Sequence, residues 1–202
     1  MELLIVSASQ RTGSQSAKIA RYLSEKADSF RKINHVELCQ YQLPFWDGSA
    51  DSKSADDSSW PLIAQQIKNA DALVLITPEW GGMASPLMKN FLLMCDSQDS
   101  AHKPALLVAV VSGISGAYPI AELRMNALKN NKLVATPDHL IIRNVEQVLN
   151  HDEPEDKREL HIRERIDYSL HMLMQYAQAL KTIRLNHQQQ PYPKQQEYCY
   201  GV

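Results

Sequence analysis

Three short and almost wholly apolar runs, Leu3 to Val6, Ala72 to Ile76 and Ala105 to Val111, each end in a turn of small polar residues, and each turn leads into a segment with helical apolar spacing. Runs without alternating polar positions mark strands buried on both faces, and such strands joined through helices lie parallel with right-handed crossovers. The pattern predicts an α/β chain whose parallel sheet is covered by helices on both sides. Ala17, Ile19, Ala20, Leu23 and Ala27 mark a first helix, and His35 to Leu38 a second strand. Pro61, tolerated in a first helical turn, opens a helix through Leu62, Ile63, Gln66, Ile67 and Ala70 that ends near Asp71. Ser85-Pro86 supplies an N-cap and a first-turn proline ahead of Leu87, Phe91 and Met94. Pro119 opens a further helix through Leu123, Ala127 and Leu128, and His139 to Ile142 is the fifth strand. Between the second strand and second helix, Tyr41 to Ser59 is a loop long enough to line a site or to move.

In sheets of this type ligands sit beyond the carboxyl ends of the strands, and the unusual turns of this chain all fall on that edge. The first strand is followed by Ser7-Ala8-Ser9-Gln10-Arg11-Thr12-Gly13-Ser14-Gln15-Ser16. Unpaired N–H groups at a helix N-terminus, hydroxyls and one guanidinium together can hold a phosphate dianion. Ser14 and Ser16 are equally placed to do no more than cap the helix. After the third strand, Thr77-Pro78-Glu79-Trp80-Gly81-Gly82 sets one aromatic and two glycines where a backbone can meet the polar edge of a planar heterocycle. The competing reading is a tight turn with Trp80 in the core. Ser112-Gly113, after the fourth strand, would flank the same ring or simply precede a helix.

A chain of 202 residues with 44% hydrophobic residues forms one domain, placed at residues 1–185 with a polar tail at 186–202. A long helix from Glu155 to about Arg184 carries Leu160, Arg163, Ile166, Leu170, Leu173 and Ala177 at helical spacing. Packing on the sheet is favoured for it over binding a partner. The glutamine-rich tail is too polar to fold alone, although Tyr192, Tyr198, Cys199 and Tyr200 can dock on a neighbour. A net charge of -2 without a basic block argues against nucleic-acid or membrane partners and for small ligands. The N-terminus lacks a basic leader and no apolar stretch spans a bilayer, so a cytoplasmic protein is expected. Cys39, Cys95 and Cys199 show no CxxC spacing and read as reduced thiols, with no metal-ligand set.

The turns taken together resemble the NAD(P)H-dependent FMN reductases of flavodoxin-like fold. That family follows its first strand with Gly-Ser-x-Arg-x-x-Ser, where this chain has Ala8-Ser9-Gln10-Arg11-Thr12-Gly13-Ser14. Its second signature, Thr-Pro-Glu-Tyr-Asn-Gly followed by Pro-x-x-Leu-Lys-Asn, is similar to Thr77 to Gly82 and to Ser85-Pro86-Leu87-Met88-Lys89-Asn90. Leu43-Pro44 and Asp47 echo the stretch after strand two. The resemblance spans about residues 1–150. It departs at Ala8, Trp80 and Gly81, and its glycine-rich third loop is reduced to Ser112-Gly113-Ile114-Ser115-Gly116-Ala117. The resemblance implies a three-layer sandwich around a five-stranded parallel sheet of order 2-1-3-4-5. It also implies FMN as cofactor, NADPH or NADH as co-substrate, a quinone, free flavin or similar small acceptor, and a homodimer.

By the same resemblance Ser9, Arg11, Ser14 and Ser16 hold the FMN phosphate. Pro78, Glu79, Trp80, Gly81 and Gly82 surround the isoalloxazine, and Ser112 and Gly113 complete the pocket. No protein acid or base is required, because in hydride transfer the cofactors carry the chemistry. A flavin-binding electron carrier is the first alternative, and such carriers of this fold are typically far more acidic. A binding protein that kept the fold without the flavin is the second. The P-loop GxxxxGK[ST], the dinucleotide GxGxxG and the hydrolase GxSxG are all absent, which argues against those classes.

Overall fold

Side chains alternate across a strand, and β1 (Glu2–Ser7) sends Leu3 and Ile5 into one apolar cluster and Leu4 and Val6 into another. The computed structural model describes residues 1–54 and 56–198. Along the chain follow α1 (Gln15–Lys26), β2 (Lys32–Glu37), α2 (Ala50–Lys53), α3 (Trp60–Asn69), β3 (Ala72–Trp80) and β4 (Met83–Ala84). Then come α4 (Pro86–Met94), α5 (Ser97–Ser100), β5 (Pro104–Val110), α6 (Ala117–Asn126), β6 (Val134–Ile142) and α7 (Lys157–Gln189). The parallel strands run in the order β2-β1-β3-β5-β6, the expected 2-1-3-4-5 arrangement, while β4 pairs antiparallel with the end of β3.

The alternation continues in β3 and β5, so both faces of the sheet need a helical cover. Val74, Ile76, Leu106 and Val108 join α1 and α7 on one side, and Leu73, Leu75, Leu107 and Ala109 join α3, α4 and α6 on the other. Each fully buried Leu or Ile contributes about 1.5–3 kcal/mol relative to an exposed one. On α7 the buried face runs Arg163, Ile166, Leu170, Leu173, Met174 and Ala177, so its first half packs on the sheet as expected. The helix continues to Gln189, past the expected end near Arg184. There the Arg184 guanidinium donates to the His102 carbonyl at 3.2 Å and pairs with Asp71 at 3.1 Å. In the tail Tyr192 and Tyr198 pack ring to ring, and the Lys132 ammonium donates to the Tyr198 carbonyl. Cys199 and Tyr200 lie outside the described residues. No described helix is long and apolar enough to cross a membrane.

Among the element boundaries that differ from the sequence reading, three in the sheet have a physical reason in strand pairing. β2 begins at Lys32 and ends at Glu37, because its length is set by residue-for-residue pairing with β1 from Glu2↔Lys32 to Ser7↔Glu37. β6 begins at Val134. Pro137 lies within this edge strand, where a missing N–H is tolerated, and the ladder with β5 slips between Ala105 and Leu107. β3 runs through Pro78 to Trp80, since Pro78 still pairs with Val110 and Trp80 turns back through Gly81-Gly82 to Met83.

Two positions give measurable consequences. Gly116 sits at φ +102°, and a Cβ there would collide with Ile141 Cγ2 and lie 2.8 Å from Val111 Cγ2. Gly116→Ala is expected to cost about 2–4 kcal/mol in urea unfolding. The buried Lys103 ammonium donates to the Ile67 and Lys68 carbonyls at the C-terminus of α3, at 2.6 and 2.9 Å. Burial, reinforced by Arg184, lowers its pKa from 10.5 to about 8. Between those values the unfolded chain binds the extra proton, so raising the pH across that window stabilises the fold. Relative to Lys103→Met, the wild type should gain roughly 2–3 kcal/mol between pH 8 and 10.5 in parallel denaturation curves.

Candidate functional site

β1 ends at Ser7, and the chain then crosses the rim of the sheet before α1 begins. Gly13 takes φ +62°, and Ser14 caps α1 by accepting from the Ala17 N–H at 3.1 Å. Ser9 Oγ accepts from the Arg11 N–H at 3.1 Å and so curls the turn. Ser14 is therefore a helix cap. Ser16 is not: its hydroxyl is buried and, among the described residues, has no hydrogen-bond partner, as is true of Gln15 Oε1. Ser7 Oγ lies 2.8 Å from His35 Nε2, and burial lowers the pKa of that imidazole. Under the turn the Cys39 thiol donates to the Arg11 carbonyl at 3.6 Å, and burial, with Glu37 beside it, raises its pKa.

The second turn is a hairpin. Trp80 pairs with Met83 across Gly81 and Gly82, both at positive φ (57° and 78°), as a two-residue hairpin loop of this twist requires. Trp80 is half-exposed and does not enter the core; the Arg11 guanidinium lies 5.5 Å from its ring centroid, a cation–π contact between the first turn and the second. Ser85 locks the two together: its hydroxyl donates to the Ala8 carbonyl at 2.5 Å and accepts from the Met88 N–H at 3.1 Å. Its own N–H donates to Thr77 Oγ1 at 2.9 Å. From α6, Glu122 accepts from the Ala84 N–H at 2.7 Å and pairs with Lys89 at 3.1 Å. Asn90, the last residue of the second motif, holds the Leu43–Trp46 stretch by accepting from the Trp46 N–H and donating to the Pro44 carbonyl, both at 2.9 Å.

The third turn closes the ring of contacts, because the Ser115 hydroxyl donates to the Glu79 carboxylate. Ser9, Arg11, Ser14, Ser16, Pro78, Glu79, Trp80, Gly81, Gly82, Ser112 and Gly113 all line one cavity of about 620 Å³. Among the lining residues that the sequence reading missed are Gln15, Ser115, Val145 and Glu146. Gln15 and Ser115 stand inside quoted turns, but Val145 and Glu146 follow β6 with no motif to mark them. They reach the rim because Lys18 on α1 donates to the Val145 and Val148 carbonyls, at 2.6 and 2.9 Å. A buried pair, Glu159 and Arg163 at 2.5 Å, ties the next part of that segment to α7 through the Leu149 N–H and the His151 carbonyl. An unpartnered Ser16 hydroxyl and a guanidinium at one end, and a glycine-turned hairpin with an indole at the other, suit a flat ligand with an anionic tail.

Comparison with known proteins identifies the family and the fold. The model of the NADPH-dependent FMN reductase family matches residues 1–147. An NADPH azoreductase of Bacillus sp. (strain OY1-2) is 27% identical over 116 residues, which cover 57% of this chain and 62% of the relative. A quinone reductase of Escherichia coli (strain K12) is 25% identical over 119 residues, 57% of this chain and 63% of the relative. The chain thus matches just under two thirds of the length of these curated relatives. Among solved structures, the flavoenzyme NAD(P)H:(acceptor) oxidoreductase FerB from Paracoccus denitrificans superposes with a TM-score of 0.70 at 19% identity. The superposition covers 88% of this chain and 97% of that one, and it shows a shared fold.

Ser85→Ala removes both the helix cap and the bond to Ala8. A loss of about 1–3 kcal/mol in chemical denaturation is expected.

Proposed function

Because the chain belongs to the NADPH-dependent FMN reductase family, its model matching residues 1–147, we propose that it is an FMN-containing oxidoreductase that passes reducing equivalents from NAD(P)H to a small acceptor. Quinones and azo compounds, named for its relatives, are the acceptor classes, with free flavin a further candidate. The observation that carries this reading is the single cavity in which the three turns converge around a buried, unpartnered Ser16 hydroxyl. That hydroxyl is a donor in the first turn of α1, beside the N–H groups that a helix leaves unpaired at its N-terminus, so the residues fit a phosphate dianion.

In this assignment Ser9, Arg11, Ser14 and Ser16 hold the phosphate, the Ser14 hydroxyl donating its proton while its oxygen still caps α1, and the hairpin carries the ring. Held there, FMN would supply two-electron redox chemistry between the nicotinamide and the acceptor. This chain's part is alignment and exclusion of water. Gly81 and Gly82 let the backbone approach the ring edge, where main-chain N–H groups oppose negative charge. The Glu79–Ser115 bond holds the hairpin against the third turn. Arg11, already over Trp80, spans the phosphate and ring ends of the cavity. A cytoplasmic homodimer belongs to the same proposal: Met83 and Tyr118 expose apolar surface at the hairpin, where a second copy would close the site.

The purified chain incubated with FMN is expected to retain it through gel filtration and to oxidise NADPH or NADH with a quinone. A preparation that stays colourless and inactive overturns the reading. Arg11→Ala should weaken FMN binding about ten- to hundredfold, as befits one charge-assisted phosphate contact. Because Arg11 is exposed, its unfolding midpoint should not move.

A further inference from the structure

Outside the flavin cavity, the flank of β6 and the first turns of α7 enclose a second groove of about 470 Å³, within the range of small-molecule sites. Arg143, Arg158, His161 and Arg165 line it together with His139 and Ile162, and no carboxylate is among the lining residues. We propose that this groove takes the phosphate groups of the reduced pyridine dinucleotide, the 2′-phosphate of NADPH in particular, while its nicotinamide reaches the neighbouring cavity. The proposal rests on the flavoenzyme reading above.

Charge is the first argument. Among the described residues Arg165 pairs with Asp138 at 2.9 Å, at the edge of the groove, but neither Arg143 nor Arg158 has a carboxylate partner. Arg158 donates only to a main-chain oxygen, that of Arg143, at 3.2 Å, which brings two unneutralised guanidinium-bearing residues together on one wall. Like charges so placed repel until an anion enters, and the planar guanidinium fork matches phosphate oxygens. His139 adds little charge near neutral pH, because burial, with Arg124 and Arg165 nearby, lowers its pKa. The arginines therefore set the sign of the groove.

Continuity is the second argument. Arg143 Nε donates at 2.8 Å to the carbonyl of Ser115, the residue whose hydroxyl meets Glu79 inside the flavin cavity. One groove thus begins where the other ends, at the place where a nicotinamide entering over the ring would leave its phosphates. From there Arg158 and Arg165 stand seven residues apart on α7, about 10 Å along the helix. That spacing puts the pyrophosphate beside Arg143 and Arg158 and the 2′-phosphate beside His161 and Arg165.

Calorimetry with adenosine 2′,5′-bisphosphate and with 5′-AMP, on the full chain with and without FMN, tests the assignment. The wild type should bind the bisphosphate at least tenfold more tightly than AMP in both forms. Arg158→Glu should weaken bisphosphate binding at least tenfold and raise KM for NADPH more than KM for NADH. Arg158→Lys should restore part of the loss, and Arg31→Glu, at the opposite edge of the sheet, should change nothing. Equal affinity for the two nucleotides, no effect of Arg158→Glu, or tighter binding of a poly-glutamate peptide than of the bisphosphate overturns the proposal. A chain that takes up no FMN yet keeps the bisphosphate preference sinks the flavoenzyme reading and leaves the phosphate groove standing.

Discussion

The Ser85 hydroxyl, shared between the Ala8 carbonyl and the Met88 N–H, joins the end of β1 to the start of α4. The start of α4 and both sides of the hairpin are arranged around that joint. With Ala8 held, the serine turn has a fixed origin; with Met88 capped, α4 starts where Asn90 can grip the Leu43–Trp46 stretch. Thr77 and Glu122 then tie down the two sides of the hairpin through the N–H groups of Ser85 and Ala84. These groups are buried or half-buried, where an unmade hydrogen bond costs more than a made one contributes, so the joint restricts the rim to one geometry.

In the proposed flavoenzyme reading that geometry has only to align the cofactors, which carry the redox chemistry themselves. The parallel sheet points the N-terminus of α1 and the β3–β4 hairpin at the same space. The first provides positive potential and the second a flat wall with close backbone approach. Arg11 lies across the boundary between them. Beyond the third turn, Arg143 connects this space to the arginine-lined groove on β6 and α7, so guanidinium groups stand on both sides of the third turn.

The long C-terminal helix serves this arrangement indirectly. Its Glu159–Arg163 pair is desolvated and of limited value as an isolated ion pair. Its hydrogen bonds to Leu149, His151 and Asp152 hold the segment after β6 in place, and that segment brings Val145 and Glu146 to the cavity. Farther along, Arg184 anchors the helix to Asp71 and His102 at the opposite end of the sheet.

Local chemistry alone determined much of this protein. The unbroken apolar runs of β1, β3 and β5 declared a parallel sheet, Ser85-Pro86 declared the start of α4, and the serine turn and Trp80-Gly81-Gly82 marked two of the turns that line the rim cavity. All of these are readable because periodicity, capping and glycine conformations act within a few residues. Tertiary structure decided what depends on a distant partner. Pairing with β1 set the ends of β2, and Val110 carried β3 through Pro78. Ser14 became a cap while Ser16 was left without a partner. Val145 and Glu146 reached the cavity through Lys18, 127 residues away in sequence from Val145. Arg143 and Arg158 came together although no local pattern links them, because a groove between a strand and a helix exists only once the chain has brought the two side by side.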